Sequence, residues 1–257
     1  MENKKLVLLA AEGDSTNIVY HALSSRFHIH LVVIEGKESK KVFLKRRIKK
    51  LGILKVIGQV LFQLTAAKIL SVFSKKRVQH ILSQNELHTH DIDAVKVVRV
   101  DSVNDESVQQ LLRSINPDAI VVNGTRIISK RILTAVNCPF INMHAGITPM
   151  YRGVHGGYWS LVNNDAAHCG VTVHLVDAGI DTGNILYQAN ISPEKEDNFS
   201  TYPYLQTAKG IELLKKAAGD ALDNTLRSVA PVKGESKLWY HPTLWQYLYF
   251  RMFKKVK

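Results

Sequence analysis

Two polar side chains near the end of a predicted strand have the chemistry of acyl transfer. Asn142 and His144 are two residues apart in Phe140-Ile-Asn-Met-His144, so they project from the same face of a strand. An amide can donate a hydrogen bond to the oxyanion of a tetrahedral intermediate, and an imidazole can carry a proton. No nucleophilic side chain accompanies them, so the nucleophile is expected to come from the substrate. Polar pairs at strand ends also occur as purely structural features.

A second segment supplies a carboxylate. Residues 170–176 alternate as a strand and lead into the loop Asp177-Ala-Gly-Ile-Asp-Thr-Gly183, whose glycines allow close backbone approach. A carboxylate held in this loop could accept a proton from an attacking amine and orient His144. His174 lies on the same strand, and its type fits either a hydrogen-bonded core residue or a catalytic one.

Alternating strands and helices must position these residues. Strands are predicted at 6–11, 29–35, 94–100, 118–123, 140–144, 170–176 and 184–191, and helices at 14–25, 104–115, 129–136, 156–163 and 201–226. This order predicts an α/β fold, a mainly parallel sheet with helices on both faces. Ligands bind beyond the carboxyl ends of such strands. The first loop, residues 13–17, could therefore hold a phosphate at a helix N-terminus, although every helix start needs a cap.

The composition is that of a folded protein with one unusual segment. The chain has 257 residues, 46% apolar, and its 34 basic and 22 acidic residues give a formal charge of +12. These values argue against a disordered or collagen-like chain. Two cysteines cannot form a disulfide framework, and no residues show the spacing of metal ligands. The first apolar run is too short for a signal peptide, so we expect a cytoplasmic enzyme.

The positive charge is concentrated in residues 40–85, which we call the basic insert. This segment holds twelve basic residues and no acidic one. Within it, residues 51–73 are nearly apolar, and helical spacing predicts one or two amphipathic helices interrupted at Gly52 and Gly58. Such helices could pack on the domain with a solvated basic face, or they could lie on anionic lipid. Recurring polar residues disfavour a membrane span.

The C-terminal segment is aromatic and basic. A helix predicted after Pro242 places six apolar residues on one face, namely Leu244, Trp245, Leu248, Tyr249, Met252 and Phe253. This face could pack on the core, form a dimer contact, or anchor at a membrane interface. Peripheral contact with the inner membrane through residues 40–77 and 239–257, and a homodimer, are therefore further expectations.

Four motifs together resemble the 10-formyltetrahydrofolate-dependent formyltransferases. They are Asn142-Met-His144, Pro149-Met-Tyr-Arg-Gly153, Gly170-Val-Thr-Val-His174 and Asp177-Ala-Gly-Ile-Asp-Thr-Gly183, and the resemblance covers residues 117–191. It implies a Rossmann-like formyltransferase fold. We expect a catalytic domain over residues 1–230, containing the basic insert, followed by a C-terminal extension over 231–257.

The resemblance also implies roles for individual residues. The catalytic residues would be Asn142, His144 and Asp181, with an amine attacking the formyl carbon of 10-formyltetrahydrofolate. Asn142 and protonated His144 would stabilise the oxyanion, while Asp181 would assist proton removal. No metal is implied. The cofactor would contact Arg126, Ile127, Ile128, Asp177, Gly179 and Ile180, and the acceptor would contact Gly13, Ser15, Thr16, Arg152 and Gly153.

The acceptor is the open question. The tRNA-specific members of the family carry a C-terminal β-barrel, and the sequence after Ile191 does not show the even run of short strands that a barrel needs. We therefore expect no nucleic acid partner, and a nucleotide-linked amino sugar for surface glycan synthesis is the favoured acceptor. The alternatives are a glycinamide ribonucleotide formyltransferase-like enzyme and a formyltetrahydrofolate hydrolase. A folate- or lipid-surface-binding module with a degenerate site also remains open.

Overall fold

A seven-stranded sheet forms the centre of the molecule. The structure is a computed structural model that describes residues 4–257, so the first three residues of the predicted 1–230 domain lie outside it. The strands run in the order β3-β2-β1-β4-β5-β7-β8, and β6 and β9 form a separate two-stranded pair. The strands are β1 (Leu6–Ala11), β2 (Ile29–Glu35), β3 (Val97–Val100), β4 (Ala119–Asn123), β5 (Phe140–His144), β6 (Arg152–Gly153), β7 (Gly170–Leu175), β8 (Ile185–Asn190) and β9 (Leu238–Trp239).

Ten α-helices are present in the described residues. They are α1 (Asp14–Ser24), α2 (Lys40–Leu51), α3 (Ile53–Phe62), α4 (Lys68–Phe73), α5 (Lys75–Gln84), α6 (Glu106–Ile115), α7 (Lys130–Leu133), α8 (Gly156–Val162), α9 (Tyr202–Leu222) and α10 (Leu244–Phe253). A wide turn of π-helix, Gln63–Ala67, joins α3 to α4 without interrupting the helical path.

The first five strands of the sheet are parallel, and the last two are antiparallel to their neighbours. The strands are apolar on both faces because helices cover both. On one face Leu6 and Leu8 pack with Ile18 and Leu214, on the side of α1 and α9. On the other face Val7 and Leu9 pack with Leu112 and Ile132, on the side of α6 and α7. The predicted Rossmann-like α/β fold with a mainly parallel sheet is confirmed.

Several predicted strands and helices are longer than those in the structure. Residues 94–96 form a 3₁₀ turn before β3, because the Asp93 side chain accepts a hydrogen bond from the Val95 amide. The helix predicted over 129–136 is a single turn capped by the Ser129 side chain. The predicted break at Gly58 was wrong, whereas Gly52 does separate α2 from α3. Gly58 instead makes room for the Trp245 ring, which occupies the space that a Cβ would need.

The basic insert and the C-terminal segment pack on each other and on the same end of the body. Phe62 of α3, Tyr247 of α10, and Tyr158 and Trp159 of α8 form a third apolar cluster with Phe199. Segment 238–241 runs beside the body, where the rings of Trp239 and Trp159 stack with centroids 4.7 Å apart. The basic insert and the C-terminal segment therefore pack together as one structural unit.

Candidate active site

The strands β5 and β7 bring the predicted catalytic residues together. They pair antiparallel, with Asn142 opposite His174 and His144 opposite Thr172. The loop after β7 then turns back so that Asp181, in the left-handed region at φ 52°, points its carboxylate between the two histidines. One amide, two imidazoles and one carboxylate thus meet at the carboxyl end of β5.

Asp181 is the centre of this arrangement. Its Oδ2 lies 3.4 Å from Nδ1 of His144, and its Oδ1 lies 3.6 Å from Nε2 of His174. The backbone amide of Gly153 donates to Oδ2 at 2.8 Å. Burial alone would raise the pKa of Asp181, but His144, His174 and the Gly153 hydrogen bond outweigh it and lower the pKa. Asp181 is therefore a carboxylate at neutral pH.

His144 is held by hydrogen bonds at a buried position. Its Nε2 donates to the Tyr151 carbonyl at 2.7 Å, so Nδ1 is the nitrogen that faces Asp181. Burial lowers the pKa of His144, and the attraction of Asp181 opposes this without reversing it. The ring is then mainly neutral in the free protein at neutral pH. The resemblance implied a protonated His144, whereas the lowered pKa favours a neutral ring in the free protein.

Asn142 and His174 share a hydrogen bond. Nδ1 of His174 donates to the Leu175 carbonyl, which leaves Nε2 to accept from Asn142 Nδ2 at 3.1 Å. The amide nitrogen has two hydrogens, so one bonds His174 and the second is available to the cavity. His174 therefore fixes the direction in which the Asn142 amide donates, a role that goes beyond a satisfied core histidine.

These groups line a cavity of about 690 Å³. Residues 124–128 line it, as do five residues of loop 176–181. Ile128 takes part, through its peptide groups, in none of the hydrogen bonds among residues 4–257. The cavity has apolar walls, formed by Val122, Ile128 and Val176, and the peptide N–H and C=O of Ile128 are free to bond a ligand. These features fit a flat heterocycle with hydrogen-bonding groups along one edge.

The predicted donor-binding residues divide into lining and supporting groups. The peptide N–H of Arg126 bonds to Glu35, and its guanidinium donates to the carbonyls of Gly36 and Asp101. Arg126 thus holds the loop in place by its side chain. In the second lining loop Asp177 accepts from the Gly179 amide and the Thr182 hydroxyl, which closes the loop that carries Ile180 and Asp181.

The predicted acceptor residues are only partly in the cavity. Ser15 and Gly153 line it. Thr16 is buried, and its hydroxyl donates to the Ala11 carbonyl and accepts from Asn123, so it supports the loop and does not face a ligand. Gly13 is exposed at the start of α1 and does not line the cavity.

Arg152 and Gly153 support the loop that carries Asp181. Arg152 donates to the Ile180 carbonyl at 3.0 Å, and Gly153 donates to Asp181. Gly153 has φ 97°, and a methyl group there would clash with the Trp239 carbonyl of the paired strand β9. Only glycine fits where the C-terminal segment passes this close to the site.

Two histidines in the cavity were not foreseen. His155, at φ 57° before α8, and His241, from the C-terminal segment, both line the cavity, with Nε2 of one 3.0 Å from Nδ1 of the other. Burial lowers the pKa of His155, and it lowers that of His241 to about 4, so both rings are neutral at neutral pH. The available sequence signal was the glycine-rich stretch around His155, which predicted either an acceptor pocket or a helix cap. His155 lies at the N-cap position of α8, where its side chain makes no capping hydrogen bond, and it lines the cavity.

Sequence comparison places the chain among known proteins. Residues 31–211 match the family profile described as Formyl transferase. The methionyl-tRNA formyltransferase of Thermodesulfovibrio yellowstonii is 35% identical over 145 residues, which are 56% of this chain and 46% of the relative. That of Finegoldia magna is 32% identical over 154 residues, 59% of this chain and 49% of the relative. The chain thus spans about half the length of the curated relatives it matches.

Solved structures share the fold at low sequence identity. A sugar N-formyltransferase from a Shewanella species has a TM-score of 0.55 and 16% identity, covering 91% of this chain and 76% of that one. Glycinamide ribonucleotide transformylase 1 from Symbiobacterium toebii has a TM-score of 0.57 and 16% identity, covering 90% and 93%. At this level of identity the likeness establishes the architecture alone.

Proposed function

Because the chain belongs to the formyl transferase family, and so transfers formyl groups, we propose that its donor is 10-formyltetrahydrofolate and its acceptor a nucleotide-linked amino sugar. The convergence of Asn142, His144 and Asp181 at one cavity supports this proposal most directly. The expected context is the synthesis of a surface glycan.

The residues of the chain have three tasks in this reaction. The second N–H of Asn142 donates to the oxygen on which negative charge develops, and such a donor contributes about 10²–10³ in rate. The attacking amine releases a proton, which the Asp181–His144 pair can hold because Asp181 stabilises the imidazolium across 3.4 Å. Once protonated, His144 adds a positive charge to the site, and this proton would then pass to the donor nitrogen that leaves as its bond to the formyl carbon breaks.

Two loops that line the cavity supply the donor pocket. Loop 123–128 offers the peptide groups of Ile128, and loop 176–181 contributes the other lining residues. The backbone amides of Arg126 and Ser129 donate to the side chains of Glu35 and Asn104, and these bonds fix the first loop before any ligand binds. A preformed pocket of this kind lowers the ordering cost of binding. 10-Formyltetrahydrofolate, when bound there, supplies the formyl group.

The acceptor side of the cavity supports a small polar substrate. His155, His241, Gln206 and Ser15 present hydrogen-bonding groups there, beside the apolar Pro203. Several hydrogen-bonding side chains around an apolar contact suit a sugar ring with hydroxyl groups. His241 of segment 238–241 lines this side of the cavity.

A second candidate acceptor is an aminoacyl-tRNA, because the curated sequence relatives are methionyl-tRNA formyltransferases. The net charge of +12 would favour nucleic acid. However, the positive charge is concentrated in the basic insert, next to exposed apolar side chains. A phosphate-binding surface is usually polar, so we rank this acceptor second.

The test is a panel of acceptors incubated with 10-formyltetrahydrofolate and the full chain. Each reaction is followed by mass spectrometry for the gain of one formyl group. We expect turnover of one dTDP-, UDP- or GDP-linked amino sugar, with Asn142→Ala as the inactive reference. Turnover of glycinamide ribonucleotide or methionyl-tRNA alone would refute the sugar assignment, and release of formate without any amine would indicate a hydrolase.

A further inference from the structure

We propose that the exposed faces of α3, α4 and α10 form a docking surface for an anionic lipid bilayer, on which the protein rests with these helices in the membrane plane. The proposal concerns where the protein works and does not depend on the identity of the acceptor. The α3–α4 helix, from Ile53 to Phe73, is 21 residues long and is long and apolar enough to span a membrane, although composition alone is weak evidence. The argument for docking rests on three further observations.

Exposed apolar side chains are concentrated in one region. Of the 21 large hydrophobic side chains that are exposed among residues 4–257, twelve lie in the basic insert and five lie on α10. Some are almost fully exposed, such as Phe73 at 84% and Leu54 at 75%. Scattered exposed apolar residues are normal, whereas a concentration of this kind indicates an interaction surface.

The exposed residues share one face of each helix. On the α3–α4 helix they follow helical spacing through Leu54, Ile57, Leu61, Leu64 and Val72. The opposite face packs on the body through Val56, Gln59 and Phe62.

The helix α10 repeats the pattern and lies beside α3. Its exposed residues are Trp245, Leu248, Tyr249, Met252 and Phe253, with Tyr247 buried on the other side. The Trp245 ring packs where Gly58 leaves space, which joins the apolar faces of the two helices. Two adjacent amphipathic helices with their apolar faces in solvent match the pattern of in-plane interfacial helices.

The positive charge of the basic insert is complementary to the negative charge of anionic lipid headgroups. Nine exposed lysines of the basic insert take part in no ion pair among the described residues, namely Lys40, Lys41, Lys45, Lys49, Lys50, Lys55, Lys68, Lys75 and Lys76. Arg46 and Arg77 are neutralised by Glu38 and by Glu194, Glu196 and Asp197. Each lysine near an anionic surface strengthens binding about fivefold.

Two other arrangements fit less well. A second copy of the chain would bring two sets of unpaired lysines together, and their repulsion would oppose the contact. A membrane-spanning orientation would require α3 to leave the body. That would break the contact of Phe62 with Phe199, at 4.8 Å between ring centroids, and the hydrogen bond from Gln59 to the His241 carbonyl.

The test is sedimentation of the full chain with vesicles. One set contains equal parts of phosphatidylglycerol and phosphatidylcholine, and the other contains phosphatidylcholine alone. The test variant carries Leu54→Glu, Leu64→Glu and Phe73→Glu. The matched control carries Val95→Glu, Val98→Glu and Val229→Glu, which adds the same charge at three exposed apolar sites elsewhere.

We expect the native chain and the control variant to bind the anionic vesicles and to be released by a high-salt or alkaline wash. The test variant should bind at least about tenfold more weakly, since burial of one large apolar side chain accounts for about that factor. Absence of native binding, or equal loss in both variants, would overturn the proposal. A stable dimer that only the test variant dissociates, without vesicle binding, would assign the face to a second copy. Resistance to the alkaline wash would instead indicate a span.

Discussion

Replacing Asp181 by asparagine tests the electrostatic core of the site. The change removes one negative charge and keeps an oxygen that can accept from the Gly153 amide, so the fold should persist. Asp181 and His144 side chains are only 14% and 6% exposed, so water screens them little. At 3.4 Å, with an effective dielectric constant of about 20, an imidazolium and a carboxylate attract by about 5 kcal/mol. At about 1.4 kcal/mol per factor of ten, this sets an upper limit of roughly 10³–10⁴ in rate.

We therefore expect Asp181→Asn to lower kcat by about 10³, with a much smaller change in KM for either substrate, because the lost attraction acts on the imidazolium that forms during the reaction. The pKa of His144 should fall further, since the attraction that opposes its desolvation is gone. The acid limb of the kcat/KM profile, where protonation of His144 blocks proton uptake, would then move to lower pH. Asp223→Asn, at an exposed helix end, is the control. A fall in kcat of less than about tenfold in a folded variant would refute the assignment.

Three further outcomes follow from the geometry. Asn142→Ala should lower kcat by about 10²–10³ with unchanged thermal stability, which initial rates and a melting curve would check. Arg77→Met should destabilise the fold by about 3 kcal/mol in urea, because it leaves Asp197 buried without its paired cation. Burial raises the pKa of Asp197, but Arg77 lowers it below its ordinary value. The pair therefore stabilises the native chain above about pH 4, and this contribution is lost as the pH falls further. The free energy of unfolding of the variant should accordingly fall less between neutral and acid pH. Gly58→Val should displace Trp245 and free α10, seen as faster proteolysis of the C-terminal segment with little change in the circular dichroism of the body.

The short-range parts of the site were predictable. Asn142 and His144 share a strand face because side chains alternate, and parallel strands bring their carboxyl ends to one edge. A carboxylate in the glycine-containing loop after β7 was also expected, and the family resemblance selected Asp181. Strand alternation therefore predicted the shared face of Asn142 and His144, whereas β7 runs antiparallel to β5 and its loop must turn back to bring Asp181 to them.

Contacts between residues far apart in the sequence leave no short-range sequence pattern from which to predict them. His155 and His241 are 86 residues apart and meet because the two-residue strands β6 and β9 pair, a contact too short to leave a periodic pattern. Thr16 was expected to face a ligand, but its hydroxyl turns back to the Ala11 carbonyl. The expected break at Gly58 failed because the missing side chain makes room for a ring from α10. Tertiary packing decided the outcome at His155, His241 and Gly58, whereas a hydrogen bond to the preceding strand decided it at Thr16.

The pairing of β6 with β9 also determines when the site can form during synthesis of the chain. The amide that positions the Asp181 carboxylate belongs to Gly153, whose strand is flanked by the carbonyls of Lys237 and Trp239. Translation proceeds at about 5–20 residues per second, so roughly 60 codons separate Asp181 from its support by about 3–12 seconds. We therefore expect the Gly153 amide to be fixed against Asp181 only after residues 237–241 have been synthesised and have paired with β6.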